Sequence, residues 1–386
     1  MNKKIWVIII FIIILIVSIG ISLFIFKDRK SVVIGNKKMV VYKEKVDYEL
    51  FHDYYKEAKD KVLNMSLEEK VGQVFLVRYN RSSTDWFNNL YPGGYILFGR
   101  DFSNHTQDGM RNELSNLQSI SKYPLILGVD EEGGSVNRVS LYFRNSPYER
   151  PRYYYDNGGY ELLESMENEK ASLLKDIGLN LNLAPVADLS SDPNDFIYYR
   201  SFGGDVNATS EYITNMVRYA KNNKINSCLK HFPGYGNNRD THTGVAIDNR
   251  SYDTFINADF KPFEAGIKEG VPSILVSHNI VNSIDSELPS SLSSKVVSEL
   301  RNTLNFSGIV MTDDLAMDAV SSYVSDGRAA TLALNAGCDM IITSDFVTMR
   351  DEIIDSINNG ILDIEKLNNA VIRVIAWKYY SGLFDK

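Results

Sequence analysis

Cysteine is scarce in this 386-residue chain: Cys228 and Cys338 are the only two. Two thiols, each in or beside an apolar run, exclude a disulfide framework and a thiolate metal site, and they read as buried core residues. Their scarcity does not identify a compartment. Histidine is sparse too, five in all, and no HExxH or other close ligand spacing occurs, so no metal site is expected. Positive charge is in deficit. Lys and Arg total 41 against 49 Asp and Glu, a net charge of -8, which argues against nucleic acid as a partner. No repeat of about 20–50 residues marks a solenoid or propeller.

What is present begins with a 44% hydrophobic content, enough for a substantial core. The first apolar feature is an uncharged run of 22 residues, Ile5 to Phe26. Its length fits one bilayer-spanning helix. A cleaved signal peptide is the competing reading, but the run exceeds a signal core and no A-x-A-like site closes it. The expectation is a short tail at 1–4 and an uncleaved transmembrane anchor at 5–26, holding the body outside the cell membrane. Lys3 and Lys4 on one flank oppose Lys27, Arg29 and Lys30 on the other, so charge alone does not set the orientation. Residues 27–60 mix Lys, Glu, Asp and Tyr without an apolar period and read as a charged stalk.

The body is expected over 61–386. Ser66-Leu-Glu-Glu69 is a capping box that opens a short helix leading into the apolar run Val71–Val77. Beyond it, short apolar runs alternate with amphipathic stretches. The runs are Gly94–Phe98, Leu125–Val129, Leu179–Leu183, Ile225–Leu229, Ser273–Val276, Gly308–Met311 and Met340–Ile342. The amphipathic stretches include Gln107–Ile120, Gly159–Asp176, Glu211–Lys221, Gly327–Ala336 and Ile364–Tyr380. Repeated βα units of this number predict an α/β fold, a single-domain (β/α)8 TIM-type barrel preceded by the transmembrane helix. A doubly wound open sheet is the alternative.

A barrel carries its chemistry just after the strands. Polar residues do cluster there. Asp130-Glu-Glu-Gly-Gly134 and Arg138 follow the Leu125 run, and Asp188 and Arg200 follow the Leu179 run. Ser277-His278 and Thr312-Asp313-Asp314 follow two later runs. The densest stretch is Lys230-His-Phe-Pro-Gly-Tyr-Gly-Asn-Asn-Arg-Asp-Thr-His242, which holds two of the five histidines. Its Pro and Gly force an irregular loop. Asp240 can fix the tautomer of His242 and stabilise its imidazolium. Together these residues suggest glycoside chemistry. Asp313 is placed to be a carboxylate nucleophile, and His242 titrates near neutrality as an acid/base needs to. Asp130, Arg138, Arg200, Lys230 and His231 are candidate ligands for sugar hydroxyls. Glu131 and Glu132 form a rival carboxylate pair, disfavoured because sequential neighbours rarely converge on one substrate. His278 reads equally as a pocket residue or a packing one, and His52 and His105 read as solvated.

These motifs resemble glycoside hydrolase family 3, in its β-N-acetylhexosaminidase branch. Asp130-Glu-Glu-Gly-Gly-Ser-Val-Asn-Arg138 is similar to the family's D-x-E-G-G-x-V-x-R, and Arg200-Ser-Phe to its R-[SA]-[FY]. Lys230 to His242 is similar to K-H-F-P-G-H-G…D-[ST]-H, and Thr312-Asp-Asp-Leu-Ala-Met317 to the nucleophile block [ST]-D-x-L-x-M. The resemblance covers about Met65 to the C-terminus. It implies a barrel that removes terminal β-linked N-acetylglucosamine from peptidoglycan fragments or related glycans, without metal or organic cofactor. In it Asp313 is the nucleophile, His242 the acid/base and Asp240 its orienting partner. Asp130, Arg138, Arg200, Lys230 and His231 bind the sugar.

Two departures stand in the His242 loop. Tyr235 occupies a position where the family usually has His, and the segment Gly236 to Asp240 is one residue shorter. They bear on efficiency more than on reaction class and keep open a glycan-binding protein with little turnover; a β-glucosidase of the same fold is the other alternative. Water and phosphate both remain open as the sugar acceptor.

Overall fold

A computed structural model describes residues 31–34, 37–40, 50–82, 88–238, 244, 246–317, 320, 323, 324 and 328–385. The chain divides into two units, Met1–Asp47 and Tyr48–Lys386. In the first, β1 (Ser31–Ile34) and β2 (Lys37–Val40) form an antiparallel hairpin, with Ser31 opposite Val40.

The second unit is a parallel barrel. Its strands are β3 (Phe75–Arg78), β4 (Gly94–Leu97), β5 (Ile126–Val129), β6 (Leu181–Asn182), β7 (Asn226–Phe232), β9 (Ser273–Val276), β11 (Ile309–Thr312) and β12 (Ile341–Thr343). They run in the order β11-β9-β7-β6-β5-β4-β3-β12. A parallel bridge between Met311 and Met340 brings the two ends of that order together. Seven of the strands are buried along their whole length and the eighth, β3, all but at Arg78. Burial on both faces explains why they read as continuous apolar runs and not as alternating ones. A further short pair, β8 (Ile247–Asp248) and β10 (Ile280–Val281), lies outside the barrel ladder.

The outer layer includes α1 (Tyr55–Leu63), α2 (Leu67–Gln73), α3 (Gln107–Ile120), α4 (Pro151–Asp176), α5 (Val206–Asn222), α6 (Phe260–Glu269), α7 (Ala329–Ala336), α8 (Phe346–Asn358) and α9 (Ile364–Tyr380). The capping box opens α2 as expected: Ser66 Oγ accepts from Glu69 N, and Glu69 Oε2 accepts from Ser66 N at 2.9 Å. α4 begins eight residues before the expected Gly159, because Pro151 at its first turn starts a helix that then breaks at Gly158 and Gly159. Gly159 has φ +62, a left-handed conformation that glycine tolerates. α1 starts inside the stretch 27–60 expected as a stalk and runs on to Leu63. It buries only Ala58 and Val62, too few positions to give a period, and the Phe51 ring just before it packs on Tyr380 of α9 at 5.3 Å.

One expectation is corrected. No helix among the described residues is long and apolar enough to cross a membrane. The architecture described is therefore a barrel without a spanning helix, and the run 5–26 lies outside the described residues. The described residues give no support to the membrane as a partner.

Candidate active site

The polar residues converge at the C-terminal mouth of the barrel through three features of the chain. The first is strand alternation. Asp130 and Glu132 follow β5 two residues apart and point to the same side, while Glu131 between them points away. Lys230 Nζ sits 2.6 Å from Asp130 Oδ1 and 2.6 Å from Glu132 Oε1. Arg200 grips Glu132 in a fork, with Nε to Oε2 at 2.9 Å and Nη2 to Oε1 at 2.7 Å. Glu131 is buried and accepts the backbone N–H groups of Arg138 and Val139 at 2.7 Å each. It holds the following loop and does not pair with Glu132 as a catalytic partner. Gly133 makes the turn possible: its φ is +98, and a Cβ there would lie 2.4 Å from the Glu149 carbonyl oxygen.

The second feature is an extension of the β6–β7 ladder. Val186 bridges Lys230, and Ala187 N donates to Lys230 O at 2.7 Å. That pairing brings Asp188 beside His231. The buried Asp188 carboxylate accepts from His231 N at 3.0 Å and Tyr235 N at 2.8 Å, and it lies 2.7 Å from His231 Nδ1. His231 Nε2 is 3.1 Å from Arg200 Nη2. Arginine can only donate, so that nitrogen accepts, and Nδ1 carries the proton toward Asp188. One chain of contacts thus runs Asp130, Lys230, Glu132, Arg200, His231, Asp188.

Charges set this chain's titration. Burial alone would raise the Glu132 carboxyl, but the charges of Arg200 and Lys230 and their hydrogen bonds outweigh it and hold it well below the usual carboxylate range. Burial pushes the Lys230 ammonium down, and Asp130 and Glu132 more than offset it, leaving it above its ordinary value. Arg200 is raised in the same way by Glu132 against its burial. All three stay ionised through the neutral range.

The third feature is the end of β11. Asp313 N donates to Val276 O at 3.0 Å, continuing the ladder with β9. Asp314 N donates to Asp313 Oδ1 at 2.9 Å, so the peptide after the strand orients that carboxylate. Asp314 turns aside: its Oδ1 accepts from Ser344 N at 3.1 Å and Ala316 N at 3.0 Å.

The structure thus joins Asp130, Lys230, Arg200 and His231 directly. Arg138 stands apart from that chain. Its Nη1 reaches only the Asn137 carbonyl at 3.4 Å, and its buried Nε has no hydrogen-bond partner. Asp240 and His242 lie outside the described residues. Both flanks of their loop are ordered by Arg250, which bonds Gly234 O on one side and Asp248 and Asp259 on the other. Tyr235 is buried, edge-on to the His231 ring at 4.9 Å, so it backs the histidine. Sequence reasoning missed Glu132 and Asp188 as members of the site. The two-residue spacing of Asp130 and Glu132 was the available signal for the first. For Asp188 only its place after a strand pointed there. No group of three or more metal-binding side chains occurs among the described residues.

Comparison with known proteins identifies the family. Residues 66–377 match the family described as "Glycosyl hydrolase family 3 N terminal domain". A beta-hexosaminidase of Nitrosomonas eutropha is 31% identical over 284 residues, 72% of this chain and 81% of that protein. A beta-hexosaminidase of Xylella fastidiosa is 32% identical over 265 residues, covering 67% and 78%. Among solved structures, a family 3 beta-N-acetylglucosaminidase from a Paenibacillus species superposes with a TM-score of 0.78 at 26% identity; the match covers 83% of this chain and 63% of that longer one. The beta-N-acetylhexosaminidase of Beutenbergia cavernae gives 0.74 at 26% identity, covering 82% and 99%. The chain belongs to glycoside hydrolase family 3 and is a glycoside hydrolase.

Proposed function

We propose that the chain is a retaining exo-β-N-acetylglucosaminidase that removes terminal β-linked N-acetylglucosamine from peptidoglycan fragments or related glycans. The observation that carries this reading is the ionised chain from Asp130 to Asp188 at the barrel mouth, on the same rim as the oriented carboxylate of Asp313. A sugar presents hydroxyls that need both donors and acceptors, and this chain offers both in fixed positions. The beta-hexosaminidases and beta-N-acetylglucosaminidases that the chain resembles support the sugar class.

The chemistry follows from two groups. Asp313 attacks the anomeric carbon as the bond to the leaving oxygen breaks, and His242 protonates that oxygen. His242, now neutral, takes a proton from water, which attacks the same carbon and releases Asp313. Asp240 stabilises the imidazolium that is present before the first step and forms again in the second. Asp130, Arg138, Arg200, Lys230 and His231 hold the ring.

The test is release of chromophore from an aryl β-N-acetylglucosaminide and from an aryl β-glucoside. Turnover of the first, with little of the second, is expected. Turnover of the glucoside alone makes the chain a β-glucosidase. Saturable binding with no release of either makes it a glycan-binding protein.

A further inference from the structure

We propose that His278 is a positioning residue for the nucleophile turn, an inference that rests on Asp313 as the nucleophile. His278 follows β9, the neighbour of β11, and its side chain is fully buried. Its Nε2 lies 3.0 Å from the carbonyl oxygen of Asp314. A carbonyl only accepts, so Nε2 carries the proton and donates it. Its Nδ1 lies 2.7 Å from Ser291 Oγ. Ser291 is itself anchored, since its N–H donates to Ser277 O at 3.0 Å and its carbonyl accepts from Cys338 Sγ at 3.5 Å.

This arrangement acts on the reacting group through one residue. Asp314 is held at its carbonyl, which accepts from His278 and from Met317 N at 3.1 Å, and at its carboxylate, which accepts from Ser344 N. Its own N–H then meets Asp313 Oδ1 at 2.9 Å. The bond fixes one oxygen of Asp313 and so sets the direction in which the other faces the sugar. If Asp314 rotates about its peptide, that orientation is lost first. A carboxylate misplaced by about 1 Å costs on the order of 100-fold in rate while leaving sugar contacts made by other strands in place. His278 therefore governs the chemical step and not the affinity.

The experiment compares His278→Gln with His278→Asn in the full chain, on an aryl β-N-acetylglucosaminide. Gln carries its amide N–H near the place of Nε2 and can still reach the Asp314 carbonyl. Asn carries its amide near the place of Nδ1 and cannot. Both fill the site with a polar group, and thermal melting tracks their folding. Asn is expected to lower kcat by about 10–100-fold with KM within about threefold, and Gln to recover most of the loss. Equal kcat for Asn and wild type, or a loss carried by KM, overturns the proposal. So does an equal fall in both variants that follows their melting temperatures. Asp313→Asn is measured alongside. If it retains activity, the nucleophile assignment fails; if it is inactive while His278→Asn matches wild type, only the role of His278 fails.

Discussion

The two ends of this barrel both bury charge, and they use it differently. At the C-terminal mouth, carboxylates and cations alternate so that each is paired: Asp130, Lys230, Glu132, Arg200. At the N-terminal end, Asp339 sits before β12 between Arg301 and Arg373 and accepts from Val310 N at 2.8 Å. Nearby, Lys378 of α9 is fully buried and donates to the neutral amide of Gln73 at 2.7 Å. Trp377 reaches Asn226 at 2.9 Å, tying α9 to the start of β7. The base network links helix to strand and, Arg301 apart, is buried. The mouth network stands on strand ends, and Asp130, Arg138, Arg200 and Asp313 all keep part of their surface open. The difference separates stability from chemistry, as expected for the two faces of a parallel barrel.

The comparison sharpens if mutations at the mouth lose activity and mutations at the base lose or gain only stability. The largest effect is expected at Asp313. Asp313→Asn removes the attacking oxygen and should lower kcat by about three orders of magnitude or more, read on the aryl β-N-acetylglucosaminide, with an unchanged melting temperature. If Asp314→Asn shows that loss and Asp313→Asn does not, the nucleophile is the neighbour.

Next is His242→Ala. It should slow substrates with poor leaving groups by about 100-fold or more while sparing activated aryl substrates, because only the former need a proton. Equal losses on both substrates would make His242 a binding group. Lys230→Met should then cost both activity and stability. It leaves buried Glu132 with Arg200 alone and strips Asp130 of its partner, a change of about 3 kcal/mol read by denaturant unfolding.

The smallest effect on activity is expected at Lys378→Met, which should leave kcat and KM as they are and raise stability. Burial pushes the Lys378 ammonium down to about 7 from its ordinary 10.5. Between those values the unfolded chain holds a proton that the folded chain lacks. Stability therefore rises with pH across that window, and the cost is complete below it. Methionine should raise the melting temperature most near pH 6 to 7 and flatten its rise toward pH 9. A loss of activity in this variant would break the division between the two ends.

Much of the barrel is legible in the sequence because buried parallel strands are short apolar runs, and Asp130, Lys230 and Asp313 stand at the ends of three of them. The edges of helices are less so. α4 starts at Pro151 with Tyr153, Tyr154 and Tyr155, which carry no helical period, and the proline was the usable signal. Within the site, residue types were readable but pairings were not. Whether Lys230 meets Asp130 or Glu132, and which carboxylate faces His231, depends on the register among β5, β6 and β7. That register is a property of the packed sheet. Glu131 illustrates the point: beside Glu132 in the chain, it faces the opposite way and serves a loop. His278 could be read either way from sequence, and only its contacts with Asp314 and Ser291 give it a position.

The central claim is that Asp313 forms a covalent bond to the sugar. The direct measurement is trapping with a 5-fluoro aryl β-N-acetylglucosaminide, a donor that loads the enzyme faster than it leaves, followed by peptide mass spectrometry. One fluorosugar is expected on the peptide that contains Asp313, with none on the Asp313→Asn protein. A label on Asp314 or Glu132, or turnover that inverts the anomeric configuration with no label at all, would contradict the account.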